Sequence, residues 1–420
     1  MKARRNYPLL LASQFLGAFG DNAILALLLG PLMVKLRTGS ITEQQQSIAN
    51  ILYTSLLFVP YVLLAPVAGY LNDRYPKTMW LKGGNLIKVA GTLVASLSLA
   101  GPSIWLGIGY FIVGIGACIY SPAKYGILPE ILPSERLVKA NGTVEFLTLV
   151  AILVGNIGGA IMVDRLPLTL CYTIVAFIYG SSLLLNLFMS QTPAAPSTPF
   201  RGSTVHFIHH VSELIRNPRL SRVLVGTSLF WICGAMLKMN FQPWGQQVLK
   251  LETMTQIALL GLWLSIGVMI GSVLAGQLYK VGELHATRRY GFLLAASLAL
   301  LGFAQLLINR GMVGPKSFAI TVLLIAGVMA GLFLIPLNAA LQAESHQAKL
   351  GKTIATQNFL ENLAMLGGSV FAFVNVKVGF DPSQLFLALA ALVALVAAWL
   401  RFPKNLRAGA KTEPAAALAE

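Results

Sequence analysis

The fold is decided by the stretch Arg136–Gly155, RLVKANGTVEFLTLVAILVG. A similar stretch, Lys349–Gly368, KLGKTIATQNFLENLAMLGG, follows 213 positions later and aligns with it without a gap. The two copies share Leu, Lys, Thr, Phe, Leu, Ala, Leu and Gly at matching positions. Upstream, a Pro and a Glu eight residues apart recur at an offset of 214: Pro122 and Glu130, Pro336 and Glu344. Because the offset is about half of the 420 residues, the chain is predicted to contain two homologous halves.

The composition places both halves in a membrane. Hydrophobic residues make up 56% of the chain and charged residues 11%, and the mean hydropathy is +0.72, all far from the averages of soluble domains. A membrane-spanning helix needs roughly 20 apolar residues. Twelve stretches of this kind predict an all-α membrane protein with twelve transmembrane helices in two pseudo-symmetric six-helix bundles, near residues 8–34, 49–71, 79–99, 103–125, 138–162, 167–190, 219–247, 254–278, 289–308, 317–340, 352–376 and 382–400.

The basic residues alternate by side of the membrane. If the N-terminus is cytoplasmic, twenty Lys and Arg residues fall on that side and seven on the other. This asymmetry obeys the positive-inside rule and predicts that both termini are cytoplasmic. The net charge of +16 is thereby explained without nucleic acid, which is not expected to be a partner.

The longest polar interruption separates two groups of six spans. It predicts an N-terminal bundle over 1–190, a cytoplasmic linker with an amphipathic helix over 191–217, a C-terminal bundle over 218–402 and a cytoplasmic tail over 403–420. The Pro-rich segment 192–199 breaks helix within the linker. The first apolar stretch is too long for a signal peptide and is expected to be retained.

Neither metal chemistry nor catalysis is predicted. Three cysteines lie in apolar spans without paired spacing, so we expect no disulfide and no metal site there: Cys118, Cys171 and Cys233. The sequence contains no Gly-rich phosphate loop and no nucleophile constellation. No cofactor is expected, and an enzyme is the weaker hypothesis.

A short polar loop follows the second span: Gly69–Lys77, GYLNDRYPK. It resembles the Gly-x-Leu-x-Asp-Arg-x-x-Lys motif of the Major Facilitator Superfamily. The resemblance implies a gate on the cytoplasmic side, in which a carboxylate meets the positive end of a facing helix and an Arg pairs with an acid. The implied gating residues are Gly69, Asp73, Arg74 and Lys77, with Glu130 as the acid expected to pair with Arg74.

A narrower resemblance comes from Ser121–Glu130, SPAKYGILPE, from Leu137–Gly142, LVKANG, and from Phe19–Asn22, FGDN. These strings are similar to the bacterial lysophospholipid transporters of that superfamily. The resemblance implies a flippase-like secondary transporter in the bacterial inner membrane, which returns lysophospholipids such as lysophosphatidylethanolamine to the inner leaflet for re-acylation. It further implies membrane lipids as partners, a functional link to an inner-membrane acyltransferase/acyl-carrier-protein synthetase, and a monomer.

Polar residues inside the spans are the independent clue to a site. A charge at the centre of a span costs roughly 2.5 to 3.5 kcal/mol unless it faces water or a partner. In the superfamily, spans one, four, seven and ten line the cavity, and most of the polar residues fall on these spans. The predicted substrate-binding set is Asp21, Asn22, Lys124, Lys238, Asn240, Asn338 and Glu361.

The roles within this set stay open. Lys124 or Lys238 is suited to a headgroup phosphate, and Asp21 or Glu361 to an ethanolamine ammonium, but the carboxylates also suit proton or cation coupling. Two repeat-related residues, Glu145 and Asn358, are predicted to face each other as part of the gate. In contrast, Lys88 in the third span is predicted to extend to the membrane surface and to play no part.

Other functions compete with lipid transport. A transporter of the same fold could carry soluble amphiphiles or drugs, and a lipid substrate predicts side openings between helices instead of a sealed funnel. A membrane enzyme that acylates the lysolipid would need a His followed five residues later by an Asp, a spacing that none of the five His residues shows. A receptor without turnover would need a signalling partner, and the sequence suggests none.

Overall fold

The computed structural model describes residues 2–192, 200–279, 283–344 and 350–402, and these residues form α-helices without a β-strand. The N-terminal half comprises α1 Lys2–Arg37, α2 Glu43–Ser55, α3 Phe58–Arg74, α4 Lys77–Ser96, α5 Ile104–Gly126, α6 Leu128–Ile131, α7 Ser134–Arg165 and α8 Leu168–Leu187. Next come α9 Phe200–Arg216, α10 Pro218–Gln247, α11 Met254–Leu278, α12 Thr287–Gly302, α13 Ala304–Asn309, α14 Pro315–Glu344, α15 Leu350–Val378 and α16 Pro382–Trp399.

The predicted spans coincide with these helices, but two of the spans are broken. The second span is divided into α2 and α3, where Pro60 has no N–H to donate to the preceding turn. The ninth is divided into α12 and α13 at Phe303. Within the described residues, ten helices are long and apolar enough to cross a membrane. The α-helical class is therefore confirmed, whereas the count of twelve is not reached by length and composition alone.

The helix packing repeats from one half to the other. In the first half, α1 packs against α7 and α8, and α4 packs against α5 and α8. In the second half, the corresponding helix α10 packs against α15 and α16, and α12 packs against α14 and α16. This equivalence is the structural counterpart of the sequence repeat, and it produces two bundles of the same design.

Glycines allow the closest helix pairs to form. A Cβ at Gly91 of α4 would lie 2.7 Å from the carbonyl oxygen of Gly109 in α5, and one at Gly327 of α14 would lie 2.2 Å from that of Leu264 in α11. Backbones can approach so closely only where side chains are missing. These contacts hold α4 against α5 and α14 against α11, and so fix the frame around the site.

The helix α9 lies between the two bundles in sequence and contacts both of them, through α3 on one side and through α10 and α15 on the other. Its Phe207 ring meets the Phe359 ring of α15 edge to face at 5.6 Å, and its Leu214 is buried. The placement of α9 on the membrane surface, together with the domain boundaries in the sequence, stays a prediction.

Candidate functional site

An ion pair between a buried lysine and a half-buried aspartate lies in the interior of the first half. The Nζ of Lys88 in α4 donates to Oδ2 of Asp21 in α1 at 2.7 Å, and the hydroxyl of Tyr179 in α8 donates to Oδ1 at 2.8 Å. The Lys88 side chain is 2% exposed and the Asp21 side chain 16%. Asp21 is thus not an isolated carboxylate but is held by two other helices of its own half.

The prediction for Lys88 was wrong. Instead of extending to the membrane surface, its ammonium is buried, 5.3 Å from the ring centroid of Tyr120 and 5.6 Å from that of Tyr179. A burial signal was present in the sequence, because Gly84, Asn85 and Gly91 occupy the same face of α4 as Lys88. Small and amide residues on one face indicate close helix contact, where a Lys must find a partner.

A second lysine joins the two halves at the same level. Lys238 of α10 donates from Nζ to Oδ1 of Asn22 in α1 at 2.9 Å, and Asn22 is the residue that directly follows Asp21. One carboxylate and two ammonium groups, those of Lys88 and Lys238, therefore share this region. With the carboxylate ionised and both lysines protonated, the three groups together carry one net positive charge, which suits an anionic group of a ligand.

Nearer the end where α5 finishes, Lys124 belongs to a polar chain within the first half. Its Nζ donates to Oγ1 of Thr148 at 3.3 Å, and the Thr148 hydroxyl lies 2.9 Å from Oε1 of Gln14. The ammonium also lies 4.7 Å from the ring centroid of Tyr125. Helices α1, α5 and α7 therefore contribute polar atoms around one cation.

The second half contains the counterpart of this chain. Nε2 of Gln357 donates to Oδ1 of Asn338 at 2.9 Å and to Oε1 of Glu361 at 2.7 Å. By the sequence repeat, Asn338 corresponds to Lys124 and Glu361 to Thr148. The equivalent pairs of positions are thus occupied by Lys124 and Thr148 in the first half and by Asn338 and Glu361 in the second, so one pair contains a cation and the other a carboxylate. Gln357 was not predicted from the sequence, because nothing there distinguishes it from other polar residues. Its role follows only from the packing of α14, which brings Asn338 beside it.

Asn240 does not join either cluster. Its side chain is buried and donates from Nδ2 to the carbonyl oxygen of Pro382 at 2.8 Å. This bond ties α10 to the start of α16 within the second half. Nearby, Trp244 is fully buried and its ring meets Phe386 edge to face at 5.3 Å, so this part of α10 packs the core instead of lining a path.

The halves also meet at one end of the bundle, here called the distal end, where α1 stops at Arg37 and α2 begins at Glu43. Asp164 at the end of α7 accepts from the backbone N–H of Met254 at 2.9 Å and of Thr255 at 2.7 Å, the first residues of α11. Further bonds between the halves at this end are Gln242 Nε2 to Leu29 O, Gln46 Nε2 to Gln246 Oε1, Gln44 Nε2 to Val376 O, and Arg37 to Glu252 O.

At the opposite end, called the linker end, the loop motif forms a different pair from the one predicted. Glu130 bonds to Lys77 at 2.5 Å, whereas the prediction assigned it to Arg74. The reason is that α4 starts at Lys77, directly beside α6, which carries Glu130. Arg74 is exposed, with its guanidinium 5.7 Å from the ring centroid of Tyr75. Gly69 lies in α3, the side chains of Asp73 and Glu145 are outside what the structure describes, and Asn358 is exposed.

Metal-binding groups of three or more His, Cys, Asp or Glu residues do not occur in the part of the chain that the structure describes. The three cysteines are free and buried. The contacts among Asp21, Asn22, Lys88, Tyr179 and Lys238, here called the midplane cluster because Asp21 lies near the middle of the first predicted span, offer charges and hydrogen bonds that can bind and release a polar group.

Comparison with known proteins gives a consistent family assignment. The sequence profile described as Major Facilitator Superfamily matches residues 10–369. The chain is 33% identical over 366 residues to the lysophospholipid transporter LplT of Serratia proteamaculans (strain 568), covering 86% of each chain. It is also 33% identical over 396 residues to LplT of Klebsiella pneumoniae subsp. pneumoniae, covering 93% of this chain and 94% of that protein.

Solved structures share the fold at low identity. The peptide transporter PepTSo superposes with a TM-score of 0.73 at 13% identity, covering 94% of this chain and 97% of that one. The human organic anion transporter MFSD10 gives 0.68 at 20% identity, covering 96% and 100%. The sequence relatives extend over most of both chains, so the protein belongs to the lysophospholipid transporter family of the Major Facilitator Superfamily.

Proposed function

We propose that the chain carries lysophospholipids such as lysophosphatidylethanolamine across the bacterial inner membrane to the inner leaflet, where they are re-acylated. The observation that carries the proposal is the Lys238–Asn22 bond. Through this bond, a cation of the second half contacts the first half next to the Asp21–Lys88 pair. Charges at this depth are costly, and their concentration where two bundles meet suits a polar headgroup in transit.

The charge pattern suits a zwitterion. A phosphate can be met by Lys238 or Lys124, and an ammonium by Glu361, whose carboxylate already accepts from Gln357. A cation of this set and the Glu361 carboxylate would hold the two ends of one headgroup between the halves. Asp21 is engaged by Lys88, so its proposed role is to hold that lysine and to shape the field around Lys238.

Transport is proposed to proceed by alternating access, in which the two bundles rock about the midplane. The positive-inside pattern assigns the linker end and both termini to the cytoplasm, and the distal end to the periplasm. On this assignment the bonds of Asp164, Gln242 and Gln46 close the periplasmic side. A ligand would then exchange with the cytoplasmic side until the loop motif around Asp73 closes it.

The fate of the transported lipid implies a further partner. A lysophospholipid delivered to the inner leaflet needs an acyl transfer to become a diacyl lipid, so a functional link to an inner-membrane acyltransferase/acyl-carrier-protein synthetase is part of the proposal. A monomer is proposed as the working unit, because each chain contributes both halves of the site.

The test is a flux measurement in proteoliposomes. Radiolabelled lysophosphatidylethanolamine in the outer leaflet is extracted with albumin at intervals, and the protected fraction reports transfer to the inner leaflet. Protein-containing vesicles should protect the lysolipid faster than empty ones, while diacyl phosphatidylethanolamine should not move. Repetition with ion gradients collapsed separates driven transport from passive transport.

The competing proposal, a carrier of soluble amphiphiles or drugs, makes the opposite prediction in the same vesicles. If an amphiphile such as a cationic dye were accumulated or expelled while lysolipid protection equalled that of empty vesicles, the lipid assignment would be wrong.

A further inference from the structure

A basic pocket lies at the linker end of the second half, remote from the midplane cluster. It has a volume of about 230 Å³ and lies between the start of α12 and the end of α16. Its lining consists of Leu284, His285, Arg288, Leu400, Arg401 and Phe402. No step of the proposed transport uses these residues.

The guanidinium of Arg288 points to an anionic ligand. Its Nε is buried and has no hydrogen-bond partner among the described residues, and its Cζ lies 5.4 Å from the ring centroid of Phe292. Buried polar atoms are nearly always paired, so an orphan of this kind calls for a missing partner. A guanidinium fixed against an aromatic ring presents its remaining donors in the fork geometry that fits phosphate.

Other groups at the pocket add to the positive field. Arg401 lines it directly, and Arg222 of α10 donates from Nη1 to the carbonyl oxygen of Arg401 at 2.8 Å, which brings a third guanidinium to this corner. His285 completes the polar lining, packed at 6.1 Å against the ring of Tyr279. Glu283, the acid of the adjoining loop, is exposed and does not line the pocket.

The pocket lies at the level expected for lipid headgroups. Trp399, two residues before Arg401, is 53% exposed, and the hydroxyls of Tyr279 and Tyr290 bond to each other beside the start of α12. Exposed Trp and Tyr residues accumulate at membrane interfaces. The volume is below the roughly 300 to 1,000 Å³ of pockets that enclose a drug-sized molecule, so it suits a headgroup whose acyl chains remain outside.

We propose that this pocket binds the phosphate of an anionic phospholipid of the leaflet at the linker end, at a site separate from the transport path. Arg288 and Arg401 hold the phosphate, and the apolar side chains of Leu284, Leu400 and Phe402 contact the glycerol and first methylenes. Basic pockets between transmembrane helices are suited to such headgroups. Because the pocket joins α12 to α16, the lipid fastens two helices of the second half together.

The test is native mass spectrometry of the detergent-solubilised full chain titrated with phosphatidylglycerol, phosphatidylcholine or inorganic phosphate. The double variant R288Q/R401Q should bind phosphatidylglycerol roughly tenfold more weakly or worse, as expected on losing charge-assisted bonds. R288K/R401K, which keeps both charges, should retain part of the binding. The matched control R5Q/R216Q removes two exposed arginines elsewhere and should bind like the wild type.

Each outcome decides the proposal. Loss of phosphatidylglycerol binding in R288Q/R401Q alone supports the proposed site. Equal loss in R5Q/R216Q would show that binding depends on the general positive charge of the surface and not on this pocket. Phosphatidylcholine binding as strongly as phosphatidylglycerol would overturn the anionic preference. Inorganic phosphate that displaces phosphatidylglycerol at equal concentration would assign the pocket to free phosphate instead of lipid. Basal lysolipid flux in phosphatidylcholine vesicles should be unchanged in R288Q/R401Q, which separates this site from the transport proposal.

Discussion

Nζ of Lys88 lies 2.7 Å from Oδ2 of Asp21, so the carboxylate in the middle of the first helix is neutralised by a lysine of its own half. Lys88 is buried and Asp21 half-buried, and the carboxylate accepts a further bond from Tyr179. Its location, next to the bond between Lys238 and Asn22, makes it a support for the cation at the contact between the halves. This relationship changes what substitutions at Asp21 are expected to do.

Lys88→Met is expected to be more damaging to stability than removal of the whole pair. Breaking a buried pair leaves one charge without its partner and costs about 3 to 5 kcal/mol, whereas Asp21→Asn with Lys88→Met removes both charges of the pair. Thermal unfolding in detergent should therefore rank the stability as wild type, double variant, then Lys88→Met.

Flux measurements separate a role of the pair in transport from a purely structural role. If Asp21 acts through Lys88 and Lys238, the double variant should insert and fold but lose lysolipid transport. Asp21→Ala should also lose transport, and it should unfold at a lower temperature than the double variant because it leaves the Lys88 ammonium without its partner. Full transport by the folded double variant would show that the pair is structural only.

Lys238→Gln should impair transport at the binding step. The substitution removes the cation that meets the other half at Asn22, and loss of a charge-assisted bond to phosphate costs about 1.5 to 3 kcal/mol, or roughly 10- to 100-fold in affinity. The measurement is the concentration dependence of lysolipid flux. Lys377→Gln, which removes an exposed cation near the distal end of α15, is the matched control and should transport normally. Equal losses in both variants would argue against a specific contact.

The sequence was sufficient for the frame of the molecule but not for its pairings. The duplication and the apolar stretches are patterns that extend over many residues, so the spans and the two similar bundles could be predicted. The break of the second span near Pro60 and the pairing of Glu130 with Lys77, in contrast, depend on where individual helices begin and end. Lys88 shows the same limit, because the cost of burying a lysine indicates that a partner exists but not which helix provides it. Only the packing of α1, α4 and α8 identifies Asp21.

Glu361→Gln is expected to change headgroup preference. If this carboxylate holds the ammonium of lysophosphatidylethanolamine, its neutral replacement should reduce the flux ratio of lysophosphatidylethanolamine to lysophosphatidylglycerol by roughly tenfold or more. Gln retains the acceptor for Gln357, so folding should be little affected. A proton-coupling role predicts another result, in which the ratio is unchanged and the dependence of flux on an ion gradient disappears. Parallel flux measurements with the two lysolipids, with and without a gradient, distinguish the two roles.

Asp164→Ala should open the distal end. The carboxylate of Asp164 accepts from the first backbone N–H groups of α11 in the other half, so it caps that helix and interacts with its dipole. Losing such a cap costs about 0.5 to 2 kcal/mol, and a loss of one or two kcal/mol changes an equilibrium roughly 5- to 30-fold. The population open at the distal end should rise accordingly.

A cysteine at Ala26 reports this opening, because Ala26 is buried on α1 between Asn22 and Leu29, which both bond to α10. Its maleimide labelling rate should rise in Asp164→Ala by the same factor, while the three native cysteines, which are buried, give a low background. Asp381→Ala is the matched control: Asp381 caps α16 within one half, accepting from Gln384 N at 2.8 Å. Its loss removes similar capping energy without touching the contact between the halves, so labelling that rises equally in both variants would indicate general loosening and not a latch.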